Sequence, residues 1–381
     1  MKQVCAKTLL VGAVCAAMLF AGINPACALE AKVSGQINQM VMYADDGDES
    51  DVFITDNDAS STRVRITGSE QFGQVKVGMQ FEMEAQRNAS NTVQINQNDD
   101  GDLEWNDRWF NVYFDTKFGK FEIGKGDTAS NGTLEVDLSG TSVVTYSDIN
   151  TTGGSIIWRN DAGGQYRQTR AATIEPDTGE VLKPAQYLTI GGSRSNFDGI
   201  LSRAERIRYN TPTFAGFTLA ASAANGGAWD AALWYAAEIS GNKLAAAFGY
   251  ANPEGKEDDK DAQWGGSISW LMPIGLNLTV GYGQRDYEDE TRGRDKAKTY
   301  YGKVGYKFDI HAFSIEYGLT EDLYADDMDS SNYGFAYVVK PWKPIELYAA
   351  YRIYMLEADE NLYGDDPDDI HVAVAGTRIK F

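Results

Sequence analysis

Beyond residue 28 the chain has no apolar run of about 18 residues, the length a spanning helix needs, yet it places apolar side chains at every second position again and again. Val75, Val77, Met79, Phe81 and Met83 alternate with Lys76, Gly78, Gln80, Glu82 and Glu84. Leu276, Leu278, Val280 and Tyr282 alternate with Asn277, Thr279, Gly281 and Gly283, and Ile345, Leu347, Ala349, Tyr351 and Ile353 with Glu346, Tyr348, Ala350 and Arg352. Period two sends successive side chains to opposite faces of a strand. Sixteen such segments can be counted: 31–43, 62–71, 74–86, 107–117, 120–126, 203–211, 215–225, 229–240, 243–252, 261–272, 275–287, 298–308, 311–323, 331–340, 344–357 and 369–381. Short connections such as Phe72-Gly73, Phe118-Gly119, Gly241-Asn242 and Asp309-Ile310 alternate with long ones at 44–61, 87–106, 127–202, 253–260, 288–297, 324–330 and 358–368; only 226–228 is brief in the second set.

Short turns on one rim and long loops on the other is the layout of an outer-membrane barrel. A soluble β-sandwich also alternates, but its loops have no reason to alternate in length. A soluble barrel of sixteen strands would enclose a large void, whereas a polar inner face suits a water-filled lumen. Lipid forces closure, because an open sheet edge cannot be hydrogen-bonded in hydrocarbon. The reading is therefore all-β: a transmembrane antiparallel β-barrel of 16 strands, one domain over 29–381, with 127–202 as an unusually long third loop.

Residues 1–28 read as a cleaved signal peptide. Lys2 and Lys7 precede the apolar stretch Thr8 to Gly22, and Ala26-Cys27-Ala28 is a small-x-small cleavage site. Lipid attachment at Cys27 is the alternative. All three Cys (Cys5, Cys15, Cys27) lie in this segment, so disulfides, thiolate catalysis and Cys-bound zinc are excluded from the remainder. The mature chain would have 381 − 28 = 353 residues and a charge of 32 − 55 = −23. So acidic a chain is a poor partner for nucleic acid, whose phosphates need Lys and Arg.

Four stretches resemble the general porins of Gram-negative bacteria. Arg63 to Gly73 (RVRITGSEQFG) looks like that family's second strand and turn, and Arg108 to Gly119 followed by Phe121 to Lys125 like its fourth and fifth strands. Arg203 to Phe217 (RAERIRYNTPTFAGF) is similar to its Arg…Tyr-x-Ser-Pro-x-Phe-x-Gly-Phe signature, and the chain ends on an aromatic residue, Phe381. The sequence departs from the pattern at Arg65, where the family usually has Gly, and at Lys125, where it usually has Arg. The resemblance implies a trimeric outer-membrane channel for passive diffusion of small hydrophilic solutes and ions, surrounded by lipid and lipopolysaccharide. It also implies that the assembly machinery reads Phe381. A solute-specific porin and a structural or adhesive barrel are the alternatives.

In that family the third loop folds into the lumen, and acids on it face basic residues on the wall. The implied basic wall is Arg63, Arg65, Arg108, Lys125 and Arg206, and the implied acidic loop is Glu135, Asp137 and Asp148. A lumenal position spares an Arg the roughly 2–4 kcal/mol cost of facing lipid near the midplane. The acidic loops, with Asp45, Asp46, Asp48, Glu49, Asp51, Asp56 and Asp58 in the first and Asp359 to Asp369 in the last, read as solvated, with Ca²⁺ binding as the alternative. They bias the mouth toward cations. No other cofactor and no catalytic residue is expected, since His311 and His371 lie in no Ser or Asp constellation. Tyr43, Phe72, Phe118, Tyr250, Tyr287, Phe308 and Tyr354 suit aromatic girdles.

Overall fold

The computed structural model describes residues 30–97, 101–159, 168–170, 173–174, 181–183, 186–198, 201–254, 260–287, 295–358 and 367–381. The expected signal peptide and Asp359 to Asp366 of the last acidic loop lie outside the described residues.

One antiparallel sheet of seventeen strand segments runs through the chain. Its staves are β1 (Glu30–Asp45), β2 (Ser50–Asp56 and Arg63–Phe72), β3 (Val75–Gln86), β4 (Glu104–Thr116), β5 (Gly119–Asp127), β6 (Arg203–Asn210), β7 (Phe217–Ala224) and β8 (Trp229–Ile239). They continue as β9 (Asn242–Asn252), β10 (Lys260–Leu271), β11 (Leu276–Tyr287), β12 (Lys296–Phe308), β13 (His311–Glu321), β14 (Met328–Trp342), β15 (Ile345–Ala358) and β16 (Ile370–Lys380). Both pieces of β2 pair end to end with β1, so the barrel has 17 − 1 = 16 staves. It closes where β1 pairs with β16, from Gln36↔Lys380 to Asp45↔His371.

The alternation decides which face meets lipid. On β13 Ala312, Ser314, Glu316 and Thr320 are buried inside, while Ile315 is 60 % exposed outside. Ile54 at 75 % and Phe248 at 50 % exposure stand on the same outer face of their staves. Leaving one such side chain in water costs about 1.5–3 kcal/mol, so a continuous outer band of them fits only an apolar solvent. Outer rings pair across strands, as Phe217 with Tyr235 (centroids 4.5 Å apart) and Tyr317 with Tyr333 (4.9 Å). Two of the expected girdle residues are not in this band. Tyr354 points inward, fully buried, and Tyr287 packs with Phe197, Ala297 and Leu323.

The first acidic loop is shorter than the sequence suggested. Ser50–Asp56 continues the ladder, pairing Asp51 with Ala44 and Asp56 with Gln39, so the hairpin tip is only Asp46 to Glu49. The dense acids hid the alternation of Val52 and Ile54 with Phe53 and Thr55. After Asp56 the stave leaves the ladder for a single 3₁₀ turn, Asp58–Ser60, before resuming at Arg63. The Asn57 N–H still reaches Asn38 O at 3.1 Å, and side chains supplement the backbone bonding there. Asp56 Oδ1 accepts from the Thr62 N–H at 3.0 Å, Asn57 Oδ1 from the Ala59 N–H at 3.0 Å, and Asn38 Nδ2 donates to Ser60 O at 2.8 Å.

The closing seam depends on a missing side chain. Gly35 and Phe381 exchange backbone hydrogen bonds of 3.0 Å, and a Cβ at Gly35 would lie 2.5 Å from Arg63 O and 2.6 Å from the Phe381 ring. Gly35→Val is therefore expected to cost at least about 1–3 kcal/mol through overpacking. At Gly302, by contrast, an added Cβ meets nothing within 4 Å. Thermal unfolding in detergent checks this: Gly35→Val should melt well below wild type and Gly302→Val close to it, and equal shifts would refute it.

Candidate functional site

The segment after β5 turns inward and is fastened to inward-facing wall residues along its length. The Asp230 carboxylate of β8 accepts from the backbone N–H groups of Ala129 (3.1 Å) and Ser130 (2.7 Å). On β10, Ser267 Oγ accepts from the Val136 N–H at 3.0 Å and Ser269 Oγ from the Leu138 N–H at 2.9 Å. Tyr354 of β15 donates to Thr152 O at 2.8 Å, and Asn57, in the gap of β2, donates to Val143 O at 2.9 Å. Val143, Val144, Ile149, Ile156, Trp158, Leu188 and Ile190 then form an apolar core against Met40, Met42, Val338, Tyr348, Val372 and Val374 of the inner wall. The lumen thus contains a packed loop on one side and open space on the other. Within that loop Ile157 meets Thr189 in an isolated antiparallel β-bridge, and Gln186–Tyr187 pairs with Gln168–Arg170 in a short two-stranded sheet of its own.

The open space is a cavity of about 450 Å³ between the loop and staves β2, β3, β4 and β6. Arg63, Glu84 and Arg108 line it from the wall and Asp58 from the turn in the gap of β2. Glu135, Asp148 and Asp198 line it from the loop, and Arg203 from the start of β6. Burial pushes Asp148 up to about 7, aided by the charges of Asp58 and Asp198. Burial pushes Asp198 up to about 6, although the N–H groups of Leu134 (2.8 Å) and Gly132 (2.6 Å) oppose the shift. Glu135 is raised well above the carboxylate range by burial and by the neighbouring Asp198 and Asp148.

Four of the eight residues implied by the resemblance meet in this cavity: Arg63, Arg108, Glu135 and Asp148. Arg65 reaches the lumen but pairs with Glu82 (2.5 Å) and lies over the Trp109 ring at 4.2 Å. Arg206 is buried under the loop's origin, donating to Glu122 at 2.6 Å and to Gly124 O at 2.9 Å, so it braces the wall and does not face the pore. Asp137 does not line the cavity; it is buried against Lys303 at 2.8 Å. Lys125 sits on the outer face. It lies directly across from Phe110, which is 64 % exposed to the lipid side, and its Nζ meets Asp107 at 2.7 Å. Period two already places Lys125 with Phe121 and Ile123, not with the lumen.

Sequence reasoning missed Asp58, Glu84, Asp198 and Arg203. The alternation of β3 could have found Glu84, since it shares the inward face with Lys76 and Gln80. The acidic tip does not stand free either: Asp46, Asp48 and Glu49 converge on Arg159, at 2.5, 3.7 and 3.6 Å. Among the described residues no group of three or more His, Cys, Asp or Glu is arranged to hold a metal ion.

Comparison with known proteins agrees with this geometry. No curated protein matches the chain. Solved structures do: an anion-selective porin from Comamonas acidovorans is 18 % identical, covers 93 % of this chain and all of its own, and superposes with a TM-score of 0.60. OmpT, an outer membrane protein of Vibrio cholerae, is 12 % identical over 95 % of this chain and all of its own (TM-score 0.57). The outer membrane channel DcaP of Acinetobacter baumannii is 13 % identical over 95 % and all of its own (TM-score 0.56). At these identities the likeness is one of fold. The model of the Gram-negative porin family matches residues 13–357. With a closed sixteen-stave barrel, a lipid-facing exterior and a charged lumen, the chain belongs to the Gram-negative porin family and forms a diffusion channel in the bacterial outer membrane.

Proposed function

We propose that this channel passes small hydrophilic solutes and ions without chemistry, and prefers cations modestly at and above neutral pH. The charge of the narrow cavity carries the reading. Three guanidinium groups (Arg63, Arg108, Arg203) face five carboxyl groups (Asp58, Glu84, Glu135, Asp148, Asp198), 3 − 5 = −2 when all are ionised. Charged constrictions in water-filled pores select by sign. The opposite preference, the one named for the Comamonas acidovorans porin, would follow if the arginines dominated.

Purified protein in a planar bilayer under a KCl gradient at pH 8 tests this. A reversal potential of cation sign is expected, with a K⁺/Cl⁻ permeability ratio of roughly 2–5. An anion-signed potential would overturn the preference, and the absence of conductance steps would overturn the open channel.

Hydrolysis on the barrel finds no support in the two histidines. His311 bonds Tyr337 Oη at 2.8 Å and His371 bonds Tyr351 Oη at 2.7 Å, both among outer-face aromatic residues. The trimer form described for Vibrio cholerae OmpT (TM-score 0.54) supports a homotrimer here.

A further inference from the structure

The arginine row of the wall has its counter-charges on the wall itself. Glu82, only 1 % exposed, touches Arg65 at 2.5 Å, Arg108 at 2.7 Å and Arg63 at 3.6 Å. Glu84 takes the other edge of Arg108 at 2.6 Å and is capped by the Ser61 hydroxyl. Ser61 belongs to the gap of β2, and the same gap delivers Asp58, held by Gln86 at 3.1 Å, to the cavity. Three arginines (Arg63, Arg65, Arg108) thus stand beside three carboxylates (Glu82, Glu84, Asp58), and the wall of β2 to β4 sums to zero there. A guanidinium with a carboxylate in hydrogen-bond contact presents a dipole to the pore, whose field falls off faster than that of a lone charge.

We propose that Glu82 and Glu84 set the sign of ion selectivity by cancelling the arginine row, which leaves Glu135, Asp148 and Asp198 of the loop, against Arg203 at the start of β6, to decide the net charge. They are selectivity residues that act through the arginines they hold. This rests on the cation-preferring reading above. It differs from a field spanning the pore between wall cations and loop anions, because the arginines are matched within their own sheet.

The test pairs variants of opposite charge effect at pH 8, read as reversal potentials with folding checked by resistance of the barrel to unfolding in detergent at room temperature. Glu84→Gln and Glu82→Gln should each lower the K⁺/Cl⁻ permeability ratio by about twofold or more, and Arg65→Gln should raise it by a similar factor. A general loosening of the wall would move all three the same way, so opposite signs are the signature. Movement in one direction, or no change in Glu84→Gln, would overturn the inference. Failure of the underlying reading shows separately, as an anion-signed potential in the unaltered channel, because the inference is judged on differences between variants.

Discussion

Lowering the pH from about 8 to about 5 is expected to cut the K⁺/Cl⁻ permeability ratio by roughly threefold and carry it through one. Three of the five acids in the cavity lie on the loop, and all three hold their protons to unusually high pH. Asp148 titrates near 7 and Asp198 near 6, both chiefly through burial, and Glu135 lies well above the ordinary range for the same reason. The sign follows directly. A raised carboxyl is neutral below its folded value and gains its charge as pH rises through it. Full ionisation gives the cavity 3 − 5 = −2, and protonating the three loop acids together with Asp58, which burial also pushes up to about 6, gives 3 − 1 = +2. Glu135 and Asp198 influence one another, so the change spreads over a broad range rather than one step. Reversal potentials measured at intervals from pH 8 to pH 5 check it. Asp148→Asn should flatten the upper part of the curve. A flat wild-type curve would show that these groups do not face the permeating ions.

Replacing Lys303 by Met is expected to destabilise the barrel by about 3–5 kcal/mol, the cost of stranding a buried carboxylate. Lys303 is fully buried, and its Nζ meets Asp137 at 2.8 Å and Thr145 O at 2.6 Å. One ammonium therefore joins two points of the inserted loop to β12. Without it Asp137, itself 3 % exposed, has no cation, and the loop loses its grip midway round the lumen. The apparent Tm in detergent should fall by roughly 5–15 °C at a fixed heating rate. Single channels should become noisier as the loop moves. Lys303→Met combined with Asp137→Leu should recover most of the loss, because removing both charges leaves neither unpaired. A double variant no better than the single would refute the pairing as the cause.

Most of the barrel was legible because lipid imposes the strictest pattern a strand can carry. Each of the sixteen alternating segments corresponds to a stave, and misjudgement concentrated where alternation is overlaid by something else. The acids of 45–58 masked the ladder from Ser50 to Asp56. The lining of the cavity was half legible. Arg63 and Arg108 lie on staves whose faces can be counted, whereas Asp137 and Asp148 lie on a loop without period, where one becomes a buried staple and the other lines the cavity. Lys125 differs for another reason: likeness to a family motif points it into the pore, whereas counting from Ile123 gives the outer face on which it lies. Asp198 and Arg203 adjoin the cavity only because the long loop returns to β6, a closure that spacing alone does not disclose.

The gap in β2 has a consequence for how this sequence can drift. Elsewhere in the wall the strands hold each other through backbone groups that every residue possesses, so a side chain can be exchanged for another of like polarity without touching those bonds. Between Asp56 and Thr62 that anonymity is partly lost, because the side chains of Asp56, Asn57 and Asn38 supply bonds beside those of the backbone. Descendants of this channel are therefore free to rewrite most of their surface, but have little freedom at these three positions without repairing the gap. A change that restored a continuous ladder there would also withdraw Asp58 from the pore, so mending the wall and altering what passes through it would be a single evolutionary step.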